Sequence, residues 1–318
     1  MMQKLFVRVL AFFVSAVLSF MGTQNHVKDA GLPFGPEDET GILLNAAVVS
    51  DTHTNGWTPH AHNVKLMKLL CGVSKSETPL DALVIPGDLT ETARTHEYAI
   101  LSELLGRYAK AQVILPATGN HDVRGLMGVV DYEKNMRNYY AFCGTVGVQT
   151  DKPYWSQTVS GYTFVVLGSD SEVKDSAYVS PAQMRWLNQT LREAEEAARP
   201  VFIICHQPLA HTNNVDKSWP GAGTLGEQSD AVEAILKRHA DAGLPIVWIS
   251  GHLHDDFSAY SFETPHENLY CLNLPSAQYN DGGRGVMLEA YADRVLFRTR
   301  DFISGEWLGD TYTVLLER

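Results

Sequence analysis

Short apolar runs alternate along the chain with segments whose apolar residues recur at helical spacing. The runs have the length and residue types of buried strands. They predict strands at residues 42–49, 80–85, 112–115, 154–159, 162–167, 201–204 and 245–249. Further strands are predicted near the C-terminus, at residues 269–274, 286–291 and 295–299.

Helices are predicted between many of these strands, at residues 62–71, 97–108, 180–198 and 230–240. In the first of them, Val64, Met67 and Leu70 fall on one face, as expected of a helix that packs on a sheet. The third begins at Ser180-Pro181, where the serine can cap the helix and the proline suits its first turn. Alternation of strands and helices favours a sheet whose faces are covered by helices.

The C-terminal strands follow one another without helical segments, which indicates a second sheet packed against the first. The pattern therefore predicts an α/β fold with two sheets inside and helices outside. We expect residues 26–318 to form one domain, because α/β folds of this length often do.

The N-terminal segment differs from the rest of the chain. Lys4 and Arg8 precede an apolar run at residues 9–21, and polar residues follow, which is the order of a secretory signal. At about 13 residues, the run is shorter than the ~20 that a membrane-spanning helix needs. Residues 1–25 are therefore predicted to be a signal peptide, and the protein to be exported (secreted, periplasmic or anchored outside the cytoplasm). An uncleaved N-terminal membrane tether and an ordinary buried helix stay open as alternatives.

The charge balance is acidic, with 37 Asp and Glu against 25 Lys and Arg and a net charge of −12. A surface of that sign argues against general binding to DNA, RNA or anionic lipid. A phosphate-containing substrate remains compatible with it, because bound cations reverse the local field. We therefore expect no nucleic-acid partner.

The four cysteines, at positions 71, 143, 205 and 271, lie far apart in apolar segments. No close pair indicates a metal clip, and a chain of this size needs no disulfide framework. Buried free thiols are the main expectation, with disulfide bonds as the alternative that export would permit.

Candidate metal ligands directly follow five of the predicted strands. The motifs are Asp51-Thr52-His53, Gly87-Asp88, Gly119-Asn120-His121-Asp122, His206, and Gly251-His252-Leu253-His254. Ligands in open α/β sheets gather beyond the carboxyl ends of strands, so five such ends can meet in one place. Each motif alone is weak evidence, because an Asp-x-His is more often a capped turn and a lone histidine more often structural. Their shared position after a strand is what indicates one site.

The motifs, in this order, resemble the calcineurin-like metallophosphoesterase superfamily, whose pattern is Asp-x-His, Gly-Asp, Gly-Asn-His-Asp/Glu, His and Gly-His-x-His. The resemblance covers residues 46–254, and no motif residue is missing. It implies a four-layer αββα sandwich, with two mixed β-sheets packed face to face and helices outside. It also implies hydrolysis of a phosphate ester by a hydroxide that bridges two metal ions.

The resemblance further implies a role for each motif residue. Seven would be metal ligands, three at a first cation position, three at a second and one shared: Asp51, His53 and His254; Asn120, His206 and His252; and Asp88. His121 would stay off the metals and act on the substrate as a catalytic residue. Asp122 is a second catalytic candidate because it could orient His121, and a structural role in the turn is the alternative.

Carboxylate, amide and imidazole ligands without cysteine suit Mn, Fe or Zn. The predicted cofactors are therefore two divalent or trivalent ions of these metals, which can lower the pKa of a bridging water and bind phosphoryl oxygens. Two other hypotheses stay open: a non-catalytic metal-binding module on the same scaffold, and a hydrolase with a single metal.

The predicted partner is a small phosphoester substrate, with nucleotides among the candidates. Gly87-Asp88-Leu89-Thr90, followed by Glu97-Tyr98, resembles the bacterial cyclic-nucleotide-phosphodiesterase branch, which favours a phosphodiester over a monoester. Arg124, just after the third motif, has two interpretations: a phosphate contact and a surface ion pair. The loop at residues 211–226 is a candidate cover for the site, because long loops in compact domains are often functional.

Overall fold

The computed structural model describes residues 32–57, 60–125, 131–221, 223–279 and 281–316. The predicted signal peptide or anchor, residues 1–25, lies outside the described residues. Among the helices that are described, none is long and apolar enough to cross a membrane.

Strands and helices are numbered separately in chain order. The strands are β1 (Leu44–Val48), β2 (Leu80–Ile85), β3 (Ala111–Pro116), β4 (Trp155–Val159), β5 (Tyr162–Val166), β6 (Val201–Ile204), β7 (Ile246–Ser250), β8 (Phe262–His266), β9 (Leu269–Asn273), β10 (Arg284–Ala290), β11 (Arg294–Asp301) and β12 (Glu306–Leu315). The helices are α1 (Ala61–Val73), α2 (Thr95–Tyr108), α3 (Asn120–Arg124), α4 (Tyr132–Thr145), α5 (Pro181–Glu195), α6 (Val215–Ser218) and α7 (Ser229–Asp241). Every strand and helix predicted from the sequence is present, with ends that shift by a few residues.

The strands form two mixed sheets of six strands each. The first has the order β12-β11-β10-β1-β2-β3, in which β1, β2 and β3 are parallel and the other three join by antiparallel pairing. The second has the order β4-β5-β6-β7-β9-β8, in which only the edge strands β4 and β8 are antiparallel to their neighbours. Each sheet thus has parallel strands whose carboxyl ends point to the same edge.

Side chains that alternate along β6 show how the layers stack. Phe202 and Ile204 belong to the core shared by the two sheets, whereas Val201 and Ile203 pack with α5 and α7. Phe202 also meets Phe297 of β11, with ring centroids 6.4 Å apart, so the inner faces of the sheets are in direct contact. Helices α1, α2 and α4 pack on the first sheet. The predicted four-layer αββα sandwich is confirmed. The expectation that the C-terminal strands form the second sheet is wrong, because β10–β12 pair with β1 in the first sheet and only β8 and β9 join the other.

All four cysteines are buried free thiols, as expected. Burial raises the pKa of Cys205 to about 12 and that of Cys71 to about 11. Because thiolates are the reactive and metal-binding form, these side chains act as small apolar groups in the core.

Candidate metal centre

The predicted ligands leave the carboxyl ends of parallel strands from both sheets. Strands β1, β2 and β3 of the first sheet lead to Asp51, Asp88 and Asn120, and β6 and β7 of the second sheet lead to His206 and His252. Most of these side chains are inaccessible to solvent, with exposed fractions of 0–2%. The fold therefore brings residues from separate strands into one buried cluster.

Three motif glycines make this convergence sterically possible. A Cβ on Gly87 would lie 2.6 Å from the His206 side chain, and one on Gly119 would lie 2.2 Å from Asp88 Oδ1. A Cβ on Gly251 would lie 2.3 Å from Asp51 Oδ2. Since real Cβ atoms do not approach other atoms so closely, each glycine leaves room for a ligand from a different motif.

Five of the seven predicted ligands have a left-handed backbone conformation. Their φ angles are 55° at Asp51, 39° at His53, 45° at Asp88, 73° at His252 and 58° at His254. Residues other than glycine rarely adopt positive φ, and such strain persists where the surrounding structure enforces it, commonly at functional sites. The backbone is therefore held in an unfavourable conformation that aims these side chains inward.

Four donors meet at the first of the two predicted cation positions. His254 Nε2 lies 2.9 Å from Asp51 Oδ1 and 3.4 Å from His53 Nε2, and His53 Nε2 lies 3.6 Å from Asp88 Oδ2. Nitrogen and oxygen ligands bind cations such as Zn²⁺ at about 2.0–2.2 Å, which puts neighbouring ligands roughly 3.0–3.5 Å apart. The observed separations fit donors arranged around one cation.

The second cation position has similar spacing. His206 Nε2 lies 3.2 Å from Asp88 Oδ2 and 3.3 Å from His252 Nδ1. Asn120 Oδ1 is buried and accepts no hydrogen bond from any described residue. A buried acceptor without a donor is costly, and a cation would satisfy it. Asp88 borders both positions, as expected for a bridging carboxylate.

The charges around the cluster are unbalanced without a bound cation. Burial opposes protonation of His206, but Asp88 and Asp51 outweigh it and raise the pKa of His206 to about 9. Burial and the neighbouring His206 lower the pKa of His252 to about 3. The carboxylates of Asp51 and Asp88 stay ionised because the nearby histidines lower their pKa despite burial. The site thus combines two carboxylates with a proton on His206 that a cation would replace.

Polar groups behind the candidate ligands orient the imidazoles, through a hydrogen bond at His206 and an ion-pair contact at His53. His206 Nδ1 lies 2.8 Å from the Pro86 carbonyl oxygen, which can only accept, so Nε2 is left to face Asp88. His53 Nδ1 lies 3.2 Å from the Glu91 carboxylate, which leaves its Nε2 to face the first cation position. Such partners fix the tautomer and orientation of metal-binding histidines. Glu91 thus contacts a candidate ligand, although the motifs do not include it; its place three residues after Asp88 is the one signal the sequence offers.

His121 lies beside the cluster and points a nitrogen toward it. Its Nδ1 lies 2.9 Å from the Glu91 carbonyl oxygen, and its backbone N–H donates to Asp88 Oδ1 at 2.9 Å. Its Nε2 lies 4.0 Å from Asp88 Oδ2. The side chain is 18% exposed, so it can reach a substrate that His206 and His53, which are inaccessible, cannot.

Asp122 is buried among donors from the neighbouring loops. Its carboxylate accepts from the backbone N–H groups of Leu89 and Gly119 at 2.9 and 3.0 Å, and from the Tyr98 hydroxyl at 2.9 Å. Burial and the nearby Asp88 carboxylate raise the pKa of Asp122 to about 6. These contacts join the Gly-Asp and Gly-Asn-His-Asp loops. A catalytic role for Asp122 stays a prediction, and its contacts match the structural alternative.

Two aromatic rings cover the outer side of the histidine pair that follows β7. Trp219 stacks on His252, with centroids 4.6 Å apart and planes at 19°, and Tyr279 stacks on His254 at 4.7 Å and 20°. Trp219 belongs to the loop at residues 211–226, so this loop does reach the candidate ligands. His211 of the same loop is 80% exposed and pairs with Asp216.

Comparisons with known proteins identify the family of the chain. The model of the calcineurin-like phosphoesterase family matches residues 44–256, more than half of the chain, whereas no curated protein matches. The crystal structure of a dimetal phosphatase from Danio rerio has a TM-score of 0.59 at 13% identity, and the match covers 87% of this chain and 100% of that one. A phosphopantetheinyl hydrolase from Mycobacterium tuberculosis has a TM-score of 0.46 at 14% identity, covering 80% and 98%. The chain therefore belongs to the calcineurin-like phosphoesterase family.

Proposed function

We propose that this protein hydrolyses small phosphate esters with two metal ions, Mn, Fe or Zn, bound on either side of Asp88. The main support for the proposal is that two groups of candidate ligands, each with donor atoms spaced as around a cation, share the Asp88 carboxylate. His53 Nε2 and His206 Nε2 lie 3.6 and 3.2 Å from the same Asp88 oxygen, Oδ2. One oxygen that lies near a histidine of each ligand set matches the arrangement of a two-metal site.

The residues divide the work in this mechanism. Bound cations would lower the pKa of a water molecule and polarise the phosphoryl oxygens. Asp51 and Asp88 supply the negative charge that holds cations there, and the burial of the cluster keeps bulk water away. His121, with Nδ1 held by the Glu91 carbonyl, directs Nε2 toward the place where charge develops on the substrate. With a proton on Nε2, it is positioned to stabilise that charge or to protonate the leaving oxygen.

The single-metal hypothesis accounts for fewer of the observations. It would use one position and leave the donors of the other without a purpose, among them the buried, unpaired Asn120 oxygen. The hypothesis of a non-catalytic binding module is also weaker, because it gives no role to His121, which is accessible and held by two hydrogen bonds.

The preference for diesters depends on residues that have structural contacts in this fold. Glu97 accepts from the backbone N–H of Thr92 and Arg94 at 2.9 and 3.1 Å, which caps the start of α2. Tyr98 is buried and donates to Asp122. Since neither contact reaches a substrate, cleavage of diesters and of monoesters are both compatible with the proposal. We also propose that the protein is exported, with a membrane tether at the N-terminus as one possibility; both follow from the sequence of residues 1–25.

Metal removal and restoration test the proposed function. Purified protein stripped with a chelator should lose hydrolysis of p-nitrophenyl phosphate and bis-p-nitrophenyl phosphate, and Mn²⁺ should restore it. Cyclic AMP and nucleotide monoesters assayed side by side would identify the preferred ester. Hydrolysis that continues after full metal removal would contradict the mechanism, and tight metal binding without turnover of any ester would favour the binding module.

A further inference from the structure

Arg124 ends helix α3 and points its guanidinium at the catalytic candidate. Its Nη2 lies 2.8 Å from His121 Nε2, and the side chain is 12% exposed. A guanidinium only donates hydrogen bonds, so His121 Nε2 is the acceptor. His121 Nε2 in turn lies 4.0 Å from Asp88 Oδ2. The guanidinium therefore lies at the edge of the candidate metal centre.

Asp175 holds the guanidinium in this position. Its carboxylate is 9% exposed and pairs with Arg124 Nη1, which also donates to the Lys174 carbonyl oxygen at 3.3 Å. The carbonyl oxygen of Asp175 accepts from Gln207 Nε2 at 3.0 Å, so this loop is fastened to the residue that follows His206. An arginine fixed on one side by a carboxylate loses little freedom when its other side binds an anion.

The guanidinium also has N–H groups, on Nε and Nη2, that Asp175 does not bind. Nε is buried and has no hydrogen-bond partner among the described residues. Nη2 donates to His121, which is itself a candidate for contact with the reacting phosphate. A phosphoryl oxygen close to His121 Nε2 would therefore also be within reach of Nη2, and guanidinium groups recognise phosphate oxygens through charge-assisted hydrogen bonds.

We propose that Arg124, held by Asp175, binds an oxygen of the substrate's phosphoryl group and favours esters whose phosphate carries two negative charges. The inference rests on the proposed function and names its substrate class. A monoester phosphate keeps an extra anionic oxygen beyond those that two cations neutralise, whereas a diester has esterified that oxygen. A further fixed positive charge stabilises the monoester dianion more than the diester monoanion.

The test compares Arg124→Ala, Arg124→Lys and Asp175→Asn with the parent protein, all loaded with Mn²⁺. Arg124→Ala should weaken binding of inorganic phosphate, measured by calorimetry, about 10- to 100-fold. It should lower kcat/KM for p-nitrophenyl phosphate by a similar factor, and that for bis-p-nitrophenyl phosphate by less. Arg124→Lys should recover part of the loss, since it keeps the charge but not the planar fork. Asp175→Asn should raise the KM for the monoester while metal content stays the same.

Lys174→Ala is the matched control. Its side chain is 78% exposed and pairs with the same carboxylate, so the substitution removes one positive charge beside Asp175 without touching His121. If Lys174→Ala caused an equal loss, any nearby positive charge would suffice and the proposal would be wrong. Unchanged phosphate binding in Arg124→Ala would also overturn it. Equal losses for both esters would overturn the substrate class.

Measurements on the parent protein distinguish failure of this inference from failure of the proposed function. If the parent protein binds no metal or hydrolyses no ester, the proposed function is wrong. If Arg124→Ala does not fold, the same measurements on Arg124→Lys and Asp175→Asn test the inference.

Discussion

The two proposed cation positions differ in charge and in their surroundings. The first has a carboxylate of its own, Asp51, and a second carboxylate, Glu91, behind His53. The second has a neutral amide from Asn120, and a backbone carbonyl behind His206. Both share Asp88. Because each anionic donor strengthens cation binding, the first position should bind its metal more tightly, and the second should fill later and empty sooner.

Solvent access also differs between the two proposed cation positions. His206 and His252 at the second position are 0% and 2% exposed, whereas the His254 side chain at the first is 31% exposed beneath Tyr279. The position with more negative charge is therefore also the more open one. The order of metal release should accordingly follow the charge of the donors rather than their burial.

The largest effect is expected from Asp88→Asn, because both positions depend on this carboxylate. Loss of the shared charge should abolish binding of both ions and reduce the proposed phosphoester hydrolysis at least about 1,000-fold. Metal analysis by mass spectrometry and ester hydrolysis measure the two effects. Asp241→Asn, an exposed aspartate that pairs with His266, is the matched control and should change neither. Retention of one ion in Asp88→Asn would show that a single position stands alone.

His121→Asn should separate catalysis from metal binding. His121 belongs to neither position, so both ions should stay bound while kcat falls about 10²- to 10⁴-fold, the usual contribution of a general acid or base. Activity and metal content measured on the same sample check this. A parallel loss of metal would mean that His121 is a ligand after all.

Glu91→Gln should weaken the first position selectively. Removing the charge behind a ligating histidine typically reduces metal affinity about 10- to 100-fold. Mn²⁺ titration calorimetry should therefore show the two binding events moving closer together in affinity. Glu233→Gln, a surface glutamate that pairs with Lys237, is the control. If only the weaker event changed, the assignment of Glu91 to the first position would be wrong.

The smallest effect over one pH unit is a pH dependence of metal binding, expected in the same direction at both positions, because carboxylates outweigh burial and raise the pKa of His53 as well as that of His206. The pKa of His206 is raised to about 9 without a cation, so His206 carries a proton at neutral pH that a cation must displace. His252, with a pKa lowered to about 3, carries none. Affinity at the second position should therefore rise as pH rises, by about tenfold per pH unit below pH 9, while one proton is released per ion. Calorimetry in two buffers of different ionisation enthalpy measures that proton, and affinity independent of pH would contradict the assignment.

The fold and the ligand set follow from local sequence features for a physical reason. A buried strand is an uninterrupted apolar run, and each motif begins where such a run ends. The apolar pattern and the motif therefore both indicate where the strand ends. Where this match is missing, prediction fails. β12 lies at a sheet edge with most of its side chains exposed, and β8 is a polar edge strand that contains Pro265. Helix α4 is also missed, although Asn135, Tyr139 and Phe142 are buried at helical spacing.

The residues around the ligands are harder to predict, because their roles depend on contacts distant in sequence. Arg124 and Asp175 are 51 residues apart and meet only in the folded chain. Glu91 gains its role by reaching His53 across two loops. The two stacked rings, Trp219 and Tyr279, lie in loops without a repeating pattern. Motifs thus predict the donors, while the groups that orient them need the structure.

The most direct test of the two-position account is a metal titration of the chelator-stripped protein, followed by anomalous diffraction from Mn²⁺-soaked crystals. We expect two Mn²⁺ per chain with unequal affinities and two anomalous peaks about 3.5–4 Å apart, one on each side of Asp88. A single peak at saturation, or a peak without Asp88 as a neighbour, would contradict it.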